Sequence, residues 1–365
     1  MNKHHSSISE ETPKATNTIL TPRGNSFSNR IETRTTIESI IKGEHIRTSL
    51  ENVYGKGPLL LSDIPHNKLS SPQKLKMNMG IDEAGRGPAL GPMIYAGAYW
   101  DASFDMDSNQ EDVRTKFKDS KQLNADVRSK LFHSILESQD IGFSIRILHA
   151  SEISRNMMRN PPINLNTMSH NAVIEMIQAV LDLEIELETV YVDTVGIPEH
   201  YKRKLEQAFQ NYSIRFVVEK KADDKYATCS AASVLAKVMR DELMKNWHYS
   251  EVFLRNETAK THDMDFGSGY PSDPKCKSWM EKNLKDLVFG YPDIVRFSWG
   301  PAKLALKDKA NIVDWPDDGD DDEDAGYEQS SMTAFFSKKN ESKKRKRLEF
   351  VEKMGLNKVF NITES

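Results

Sequence analysis

Cysteine is scarce in this 365-residue chain, which has two, Cys229 and Cys276. Two thiols cannot staple a chain of this size, and their spacing matches no zinc pattern, so a reducing compartment is the simplest reading. No stretch approaches eighteen uncharged apolar residues, which excludes a membrane-spanning helix. The first thirty residues are rich in Ser, Thr and Asn, include Glu10 and Glu11, and lack an apolar segment; no secretory signal is expected there. Hydrophobic residues make up 38% and aromatics 8%, a low apolar share that predicts part of the chain lying outside any core. A strong net charge is missing too. The formal charge is −4, and residues 317–347 hold nine acids against seven bases. That balance of −2 leaves −2 for everything else, so bulk charge selects no partner and any nucleic-acid contact must come from local placement. No internal repeat is visible.

Residues 1–75 are polar and punctuated by proline. They are expected to be a mostly disordered extension, with a helical turn or two at Ile37–Ile41 and a portion around Leu59–Ile64 packing on the folded domain. The pattern then changes. Strands are predicted at Leu75–Ile81, Met93–Trp100, Ile141–Leu148, Thr189–Val192 and Ile214–Val218 from apolar, β-branched or alternating runs. Helices are predicted at Asn124–Gln139, Asn166–Leu183, Glu199–Phe209, Ser230–Trp247 and Lys275–Leu287 from apolar stripes of helical period. Strands interleaved with helices give an α/β domain, 76–306, with a mixed central sheet flanked by helices. Asp317–Asp324 is a solvated acidic run, so 307–330 reads as a linker, and 338–365 as a basic tail.

The stretch Gly80-Ile81-Asp82-Glu83-Ala84-Gly85-Arg86-Gly87-Pro88 ends a β-type run on two adjacent acids. Neighbouring side chains of a strand point to opposite faces, so for both acids to serve one site the chain is expected to leave strand geometry there. Gly85 and Gly87 permit that and let backbone approach a ligand. A polar hairpin turn is the plainer alternative. Tyr191-Val192-Asp193-Thr194-Val195-Gly196 repeats the arrangement, and Asp223 follows another strand just before a long helix. Four carboxylates meeting at one sheet edge repel one another unless a hard cation neutralises them. Mg²⁺ prefers such oxygen ligands while keeping waters and phosphate oxygens. Two such ions about 4 Å apart suit phosphodiester hydrolysis. The absence of a Cys/His cluster speaks against zinc. Loop-terminating acids that bind no metal remain the alternative.

Seven motifs occur in a telling order: Asp-Glu-Ala-Gly-Arg-Gly-Pro at 82–88, Asp-Ser-Lys-Gln-Leu at 119–123, Tyr-Val-Asp-Thr-Val-Gly at 191–196, Lys-Ala-Asp at 221–223, Ser-Ala-Ala-Ser-Val-Leu-Ala-Lys at 230–237, Arg240-Asp241, and Gly-Ser-Gly-Tyr-Pro at 267–271. Over residues 76–305 they resemble type 2 ribonuclease H (ribonuclease HII), in particular the catalytic subunit of the eukaryotic enzyme. The resemblance implies a ribonuclease H-like fold. It implies an endonuclease that cuts 5′ to a ribonucleotide in duplex DNA, and the RNA strand of RNA·DNA hybrids, leaving 3′-hydroxyl and 5′-phosphate ends. It implies Asp82, Glu83, Asp193 and Asp223 as catalytic carboxylates holding two Mg²⁺ ions, with Mn²⁺ as a substitute. Gly85, Arg86 and Gly87 are implied to meet the ribonucleotide's 2′-hydroxyl, and Tyr270 to pack on the following deoxyribose; an ordinary turn tyrosine is the alternative. Arg86 suits a phosphate fork or a plain surface position. Lys121 is expected near the scissile phosphate, or simply solvated. Lys237 and Arg240, three apart on one helix, are candidate phosphate contacts on a helix that mainly packs a core. Asn164 and Asn166 suit helix capping or substrate contact.

In the tail, Gln329, Met332, Phe335 and Phe336 resemble the peptide (329–336) that binds the replication sliding clamp; folding back on the domain is the alternative. Lys343-Lys344-Arg345-Lys346-Arg347 reads as a nuclear import signal or a nucleic-acid tether. Arg347–Leu356 is similar to the terminus by which eukaryotic catalytic subunits dock on two accessory subunits, so a nuclear heterotrimer is expected. Competing readings are another nuclease or transposase-type phosphotransferase on the same kind of sheet, or a non-catalytic scaffold that recruits the sliding clamp.

Overall fold

A computed structural model describes residues 19–20, 37–39, 59–62, 76–104, 106, 111–117, 124–194, 196–247, 265–284 and 290–309. By contacts the chain divides into Met1–Leu304 and Ala305–Ser365; of the second unit only residues 305–309 are described.

Seven strands form one sheet: β1 (Ile19–Leu20), β2 (Leu59–Ser62), β3 (Lys76–Ala84), β4 (Met93–Asp101), β5 (Gly142–Leu148), β6 (Glu186–Asp193) and β7 (Arg215–Glu219), in the order β1-β2-β5-β4-β3-β6-β7. β3, β6 and β7 run parallel, whereas β4 is antiparallel to both β3 and β5. The expected mixed sheet is therefore the one adopted. Among the described residues there are seven α-helices: α1 (Ala125–Glu137), α2 (Ala150–Met158), α3 (Leu165–Leu181), α4 (Pro198–Ala208), α5 (Ala227–Lys245), α6 (Pro274–Asn283) and α7 (Gly300–Lys309). No helix among the described residues is long and apolar enough to cross a membrane.

Strand periodicity sorts the core into two layers. Met77, Met79 and Ile81 of β3 face α3 and α4, packing with Val173, Met176, Ile177, Val180 and Leu205. The other face of the sheet, including Ala84, Ala96 and Ala98, packs against α1 and α5 through Leu131, Ile135, Leu235 and Met239. Burying each large aliphatic side chain contributes about 1.5–3 kcal/mol, which holds both helical layers on the sheet. On the α5 face β3 carries Gly80, and a Cβ there would collide with the backbone of Thr228 and Cys229. The glycine thus lets the start of α5 sit directly on β3, close to the end of the strand where the acids lie.

The sheet begins further upstream than the expected boundary at 76. Leu59, Leu60 and Leu61 are all buried, and β2 pairs antiparallel with β5, so the run expected to pack on the domain does so as a strand of its sheet. Two helices lie outside the sequence expectations, α2 and α7.

Candidate active site

Parallel pairing of β3 with β6 ends at Ile81↔Val192, while antiparallel pairing of β3 with β4 continues to Ala84↔Ile94. The next residues, Asp82 and Asp193, therefore sit side by side at the carboxyl ends of adjacent parallel strands, the usual place for ligands in such sheets. β3 remains extended through Asp82, Glu83 and Ala84, which corrects the expectation that the chain must leave strand geometry there. Alternation sends Asp82 toward α5, where its carboxyl interacts with the Ser233 hydroxyl, and sends Glu83 toward the α3 side. Both reach one cleft because β3 has lost its β6 neighbour at that level. The main-chain N–H of Glu83 donates to Asp82 Oδ1 at 2.7 Å.

The fourth acid is carried by a turn. After β7 the chain passes through Lys221, which has a left-handed backbone (φ 59°), into a short 3₁₀ turn, Ala222–Asp224. The Ala222 N–H donates to Asp193 Oδ1 at 2.8 Å, tying the turn, and with it Asp223, to the end of β6. Lys237 Nζ on α5 stands 4.0 Å from Asp223 Oδ2. Asp82, Glu83, Asp193 and Asp223 all line a single open cleft of ≈ 740 Å³, together with Gly85, Arg86, Gly87, Lys237, Arg240 and Tyr270.

Electrostatics mark this cluster as short of positive charge. Burial, reinforced by the charges of Asp193 and Asp223, pushes the Asp82 carboxyl up to about 7 against the opposing hydrogen bonds from Ser233 and Glu83. Burial and the neighbouring Asp82 push Glu83 up to about 8, with Arg86 opposing. Asp193 is also raised, first by burial and then by Asp223, against the Ala222 hydrogen bond. Among the described residues no three His, Cys, Asp or Glu side chains form a ready-made ion cage. The donor set nonetheless fits Mg²⁺ or Mn²⁺: it is all oxygen, and Mg²⁺ usually takes one or two carboxylates and completes its shell with water and substrate phosphate.

The Gly85–Gly87 turn forms one lip of the cleft and is clamped from behind. Gly85 has φ +81°, and a Cβ there would lie 2.7 Å from the Pro92 carbonyl oxygen and 2.5 Å from Arg240 Cδ. Arg296, fully buried, donates to three carbonyls: Nη2 to Gly85 at 2.5 Å, Nη1 to Arg86 at 3.0 Å and Nε to Gly91 at 2.9 Å. Trp299 Nε1 donates to the Gly87 carbonyl at 3.1 Å, and the Arg296 guanidinium lies 4.9 Å from the Trp299 ring centroid. With their carbonyls held inward, the turn's remaining main-chain groups are set at a fixed orientation on the cleft. Tyr270 is exposed, and a Cβ on Gly87 would stand 3.0 Å from its ring.

The cations expected on phosphate are engaged in different ways. Arg86 donates from Nη1 to Ser169 Oγ at 2.7 Å and from Nη2 to Asn166 Oδ1, fastening the turn to α3. Arg240 is buried in the cleft lining and directs Nη2 to the carbonyls of Leu90 and Ser268, both at 3.4 Å, while its Nε is buried without a hydrogen-bond partner among the described residues. Asn164 caps α3 by accepting from the Thr167 N–H at 2.9 Å, which leaves Asn166 as the partner of Arg86. Lys121, Gln329, Met332, Phe335 and Phe336 lie outside the described residues.

Sequence reasoning missed Arg296 and Trp299, which belong to no motif and act across about two hundred residues. It also missed Arg128 on α1 and Leu165 at the start of α3, both lining the cleft. The cleft-facing position of Arg128 was readable in outline: it stands one residue off the apolar stripe of α1, five residues after the Asp-Ser-Lys-Gln-Leu motif.

Residues 79–302 match the family model described as Ribonuclease HII. The A subunit of ribonuclease H2 from Rattus norvegicus is 40% identical over 260 residues, covering 71% of this chain and 81% of that protein. Its counterpart of the same name from Arabidopsis thaliana is 40% identical over 253 residues, covering 69% and 80%. Among solved structures, the ribonuclease H2 of Pyrococcus horikoshii OT3 is similar at 30% identity and a TM-score of 0.49, covering 64% of this chain and 98% of that one.

Proposed function

Since the chain belongs to the ribonuclease HII family and is a ribonuclease H, we propose that it hydrolyses the phosphodiester 5′ to a ribonucleotide in duplex DNA, single misincorporated ribonucleotides included, and the RNA strand of RNA·DNA hybrids. The observation that carries the reading is the convergence of Asp82, Glu83, Asp193 and Asp223 on one cleft whose lip is the Gly85–Gly87 turn. Asp82 and Asp193, adjacent at the strand ends, would hold two Mg²⁺ ions most closely, and Glu83 and Asp223 would complete their shells. Bound ions would supply the positive charge that stabilises the attacking and leaving oxygens of an in-line displacement.

The chain's own residues supply the selectivity. A 2′-hydroxyl both donates and accepts a hydrogen bond, and this is what distinguishes RNA from DNA at a site. The turn offers main-chain groups at close range, with no side chain at Gly85 or Gly87 to keep the sugar away. Its carbonyls are fixed by Arg296 and Trp299, so recognition needs little reordering when substrate arrives. Tyr270, exposed beside Gly87, would lay its ring against the next deoxyribose.

The names of the relatives and the composition of the tail extend the reading. Those relatives are named as one subunit of an enzyme, which supports assembly of this chain with two accessory subunits. The 329–336 segment would recruit the sliding clamp, and Lys343–Arg347 would direct the chain to the nucleus, placing the activity in ribonucleotide removal and primer processing. A scaffold without catalysis is not favoured, because clustering four acids serves no purpose in a protein that binds no ion.

The test is a DNA duplex with one ribonucleotide, incubated with Mg²⁺ and the full-length chain, alone and with its accessory subunits. A nick 5′ to the ribonucleotide is expected, strongly reduced in Asp193→Asn, with an all-DNA duplex left intact. Equal nicking of both duplexes would overturn the specificity.

A further inference from the structure

A polyanion entering a cleft lined by four carboxylates must be met by cations, and the cleft's own cations differ in how free they are. Arg86 is held by Asn166 and Ser169. Arg240 is buried and turned to the Leu90 and Ser268 carbonyls. Lys237 stands 4.0 Å from Asp223. Arg128 differs from all three. It projects from the first turn of α1 into the cleft lining, is half-exposed, and its guanidinium makes no hydrogen bond or ion pair with any described residue. Its main chain is already satisfied within the helix, with its N–H donating to the Asn124 carbonyl at 3.0 Å, so the backbone beneath it is firm.

We propose that Arg128 is a phosphate-gripping residue of the substrate site, its planar fork taking a non-bridging phosphate oxygen pair of the bound strand on the α1–α5 side of the cleft. The inference rests on the ribonuclease reading and deepens it. Three observations favour Arg128 over the other cations. Among the described residues no group accepts from the Arg128 guanidinium, whereas Arg86 donates to Asn166 and Ser169, and Arg240 is buried with Nη2 turned to two carbonyls. A guanidinium matches phosphate geometry in two-point fashion, which an ammonium such as that of Lys237 does not. Finally, Asp241 also lines the cleft and interacts with the Arg128 guanidinium by charge, with no direct ion pair between them.

The role is one of binding, so it separates from chemistry in kinetics. With the full-length chain, Mg²⁺ and the single-ribonucleotide duplex, Arg128→Ala should raise KM about tenfold with kcat within about twofold, as expected for loss of one charge-assisted contact made equally in ground and transition states. Duplex affinity, read by fluorescence anisotropy in an Asp193→Asn background, should fall in parallel. The slope of log affinity against log salt should become shallower by about 0.9, the value of one phosphate contact on duplex DNA. Arg128→Lys should recover part of the affinity, since the charge returns without the fork. Lys130→Ala, two positions along the same helix and outside the cleft lining, should change neither quantity. An unchanged KM and salt slope in Arg128→Ala, alongside a wild-type chain that nicks, would overturn the assignment, as would a fall in kcat at constant KM. A wild-type chain that does not nick, yet loses duplex affinity and salt slope on Arg128→Ala, would count against the proposed reaction and for the phosphate contact.

Discussion

Arg296 Nη2 lies 2.5 Å from the carbonyl oxygen of Gly85, two residues beyond the second acid of the cleft, so a buried guanidinium serves as the floor of the turn that lines the cleft. The same side chain reaches the carbonyls of Arg86 and Gly91, and removing it leaves three carbonyls without that donor, Gly91's in the interior and the other two part-buried. Each buried polar group left without a partner costs on the order of 1–3 kcal/mol. Arg296→Met should therefore lower the urea midpoint substantially. Arg296→Lys keeps the charge but cannot span three carbonyls; it should stay folded at 25 °C while single-turnover cleavage drops by about a hundredfold, the scale of a misplacement of reacting groups by about 1 Å. Cleavage by Arg296→Lys at the wild-type rate would show that the turn holds its shape without the fork.

Gly85→Ala tests the turn from the other side. Its φ of +81° is left-handed, which costs a residue with a Cβ roughly 1–2 kcal/mol, and the added carbon also meets Pro92 and Arg240. Thermal melting should show a modest loss of stability. Cleavage should suffer more, because the turn must move away from both neighbours and so shifts relative to the carboxylates. The informative measurement is the ratio of nicking at a single ribonucleotide to nicking of a continuous hybrid. A ratio equal to wild type would mean the turn does not read the junction.

Much of this organisation is legible in the sequence because it is written in local pattern. The periods of β3 to β7, α1 and α3 to α6 follow from apolar spacing, and the acids at the ends of β3 and β6 stand out as charges terminating apolar runs. The features that escape a sequence reading depend on distant contacts. α2 is only nine residues long and mostly polar, and an ion pair from Glu152 to the buried Arg146 at 2.6 Å helps to hold it. β2 is four residues whose strand character comes from pairing with β5, more than eighty positions away. Arg296 sits in a stretch with no motif, and its importance lies entirely in carbonyls contributed by residues 85–91. The geometry of Asp82 and Glu83 departs from expectation for a related reason: whether adjacent strand residues share a site depends on where the neighbouring strand stops, and no local signal records that.

The tail makes a prediction independent of the cleft. Met332, Phe335 and Phe336 stand between acidic and basic runs, a setting where apolar residues serve best when a partner covers them. Phe335→Ala with Phe336→Ala should abolish capture by an immobilised sliding clamp while cleavage of a short duplex stays unchanged. Undiminished capture would show that the clamp is held elsewhere on the protein.

The cluster's electrostatics predict how the metal-free protein responds to pH. Asp82 rises from 3.8 to about 7 and Glu83 from 4.5 to about 8 on folding, chiefly through burial. Between those limits the folded chain binds more protons than the unfolded chain, so stability must fall as pH rises. The contribution is fully present only below the unfolded values of 3.8 and 4.5, and is lost as pH rises through about 7 for Asp82 and about 8 for Glu83, where each must ionise inside the fold. Each tenfold change in a group's proton affinity corresponds to about 1.4 kcal/mol, so the loss from Asp82 alone amounts to a few kcal/mol. In EDTA, urea midpoints should therefore decline from pH 5 to pH 8. Asp82→Asn carries no charge to bury and should flatten that decline while abolishing cleavage, making the inactive variant the more stable one at pH 8. Adding Mg²⁺ should restore much of the wild-type stability at pH 8 and little of it at pH 5, since protons and cations compete for the same oxygens. A flat wild-type profile in EDTA, or equal stabilisation by Mg²⁺ at both pH values, would mean that these carboxylates are not buried together in the folded chain.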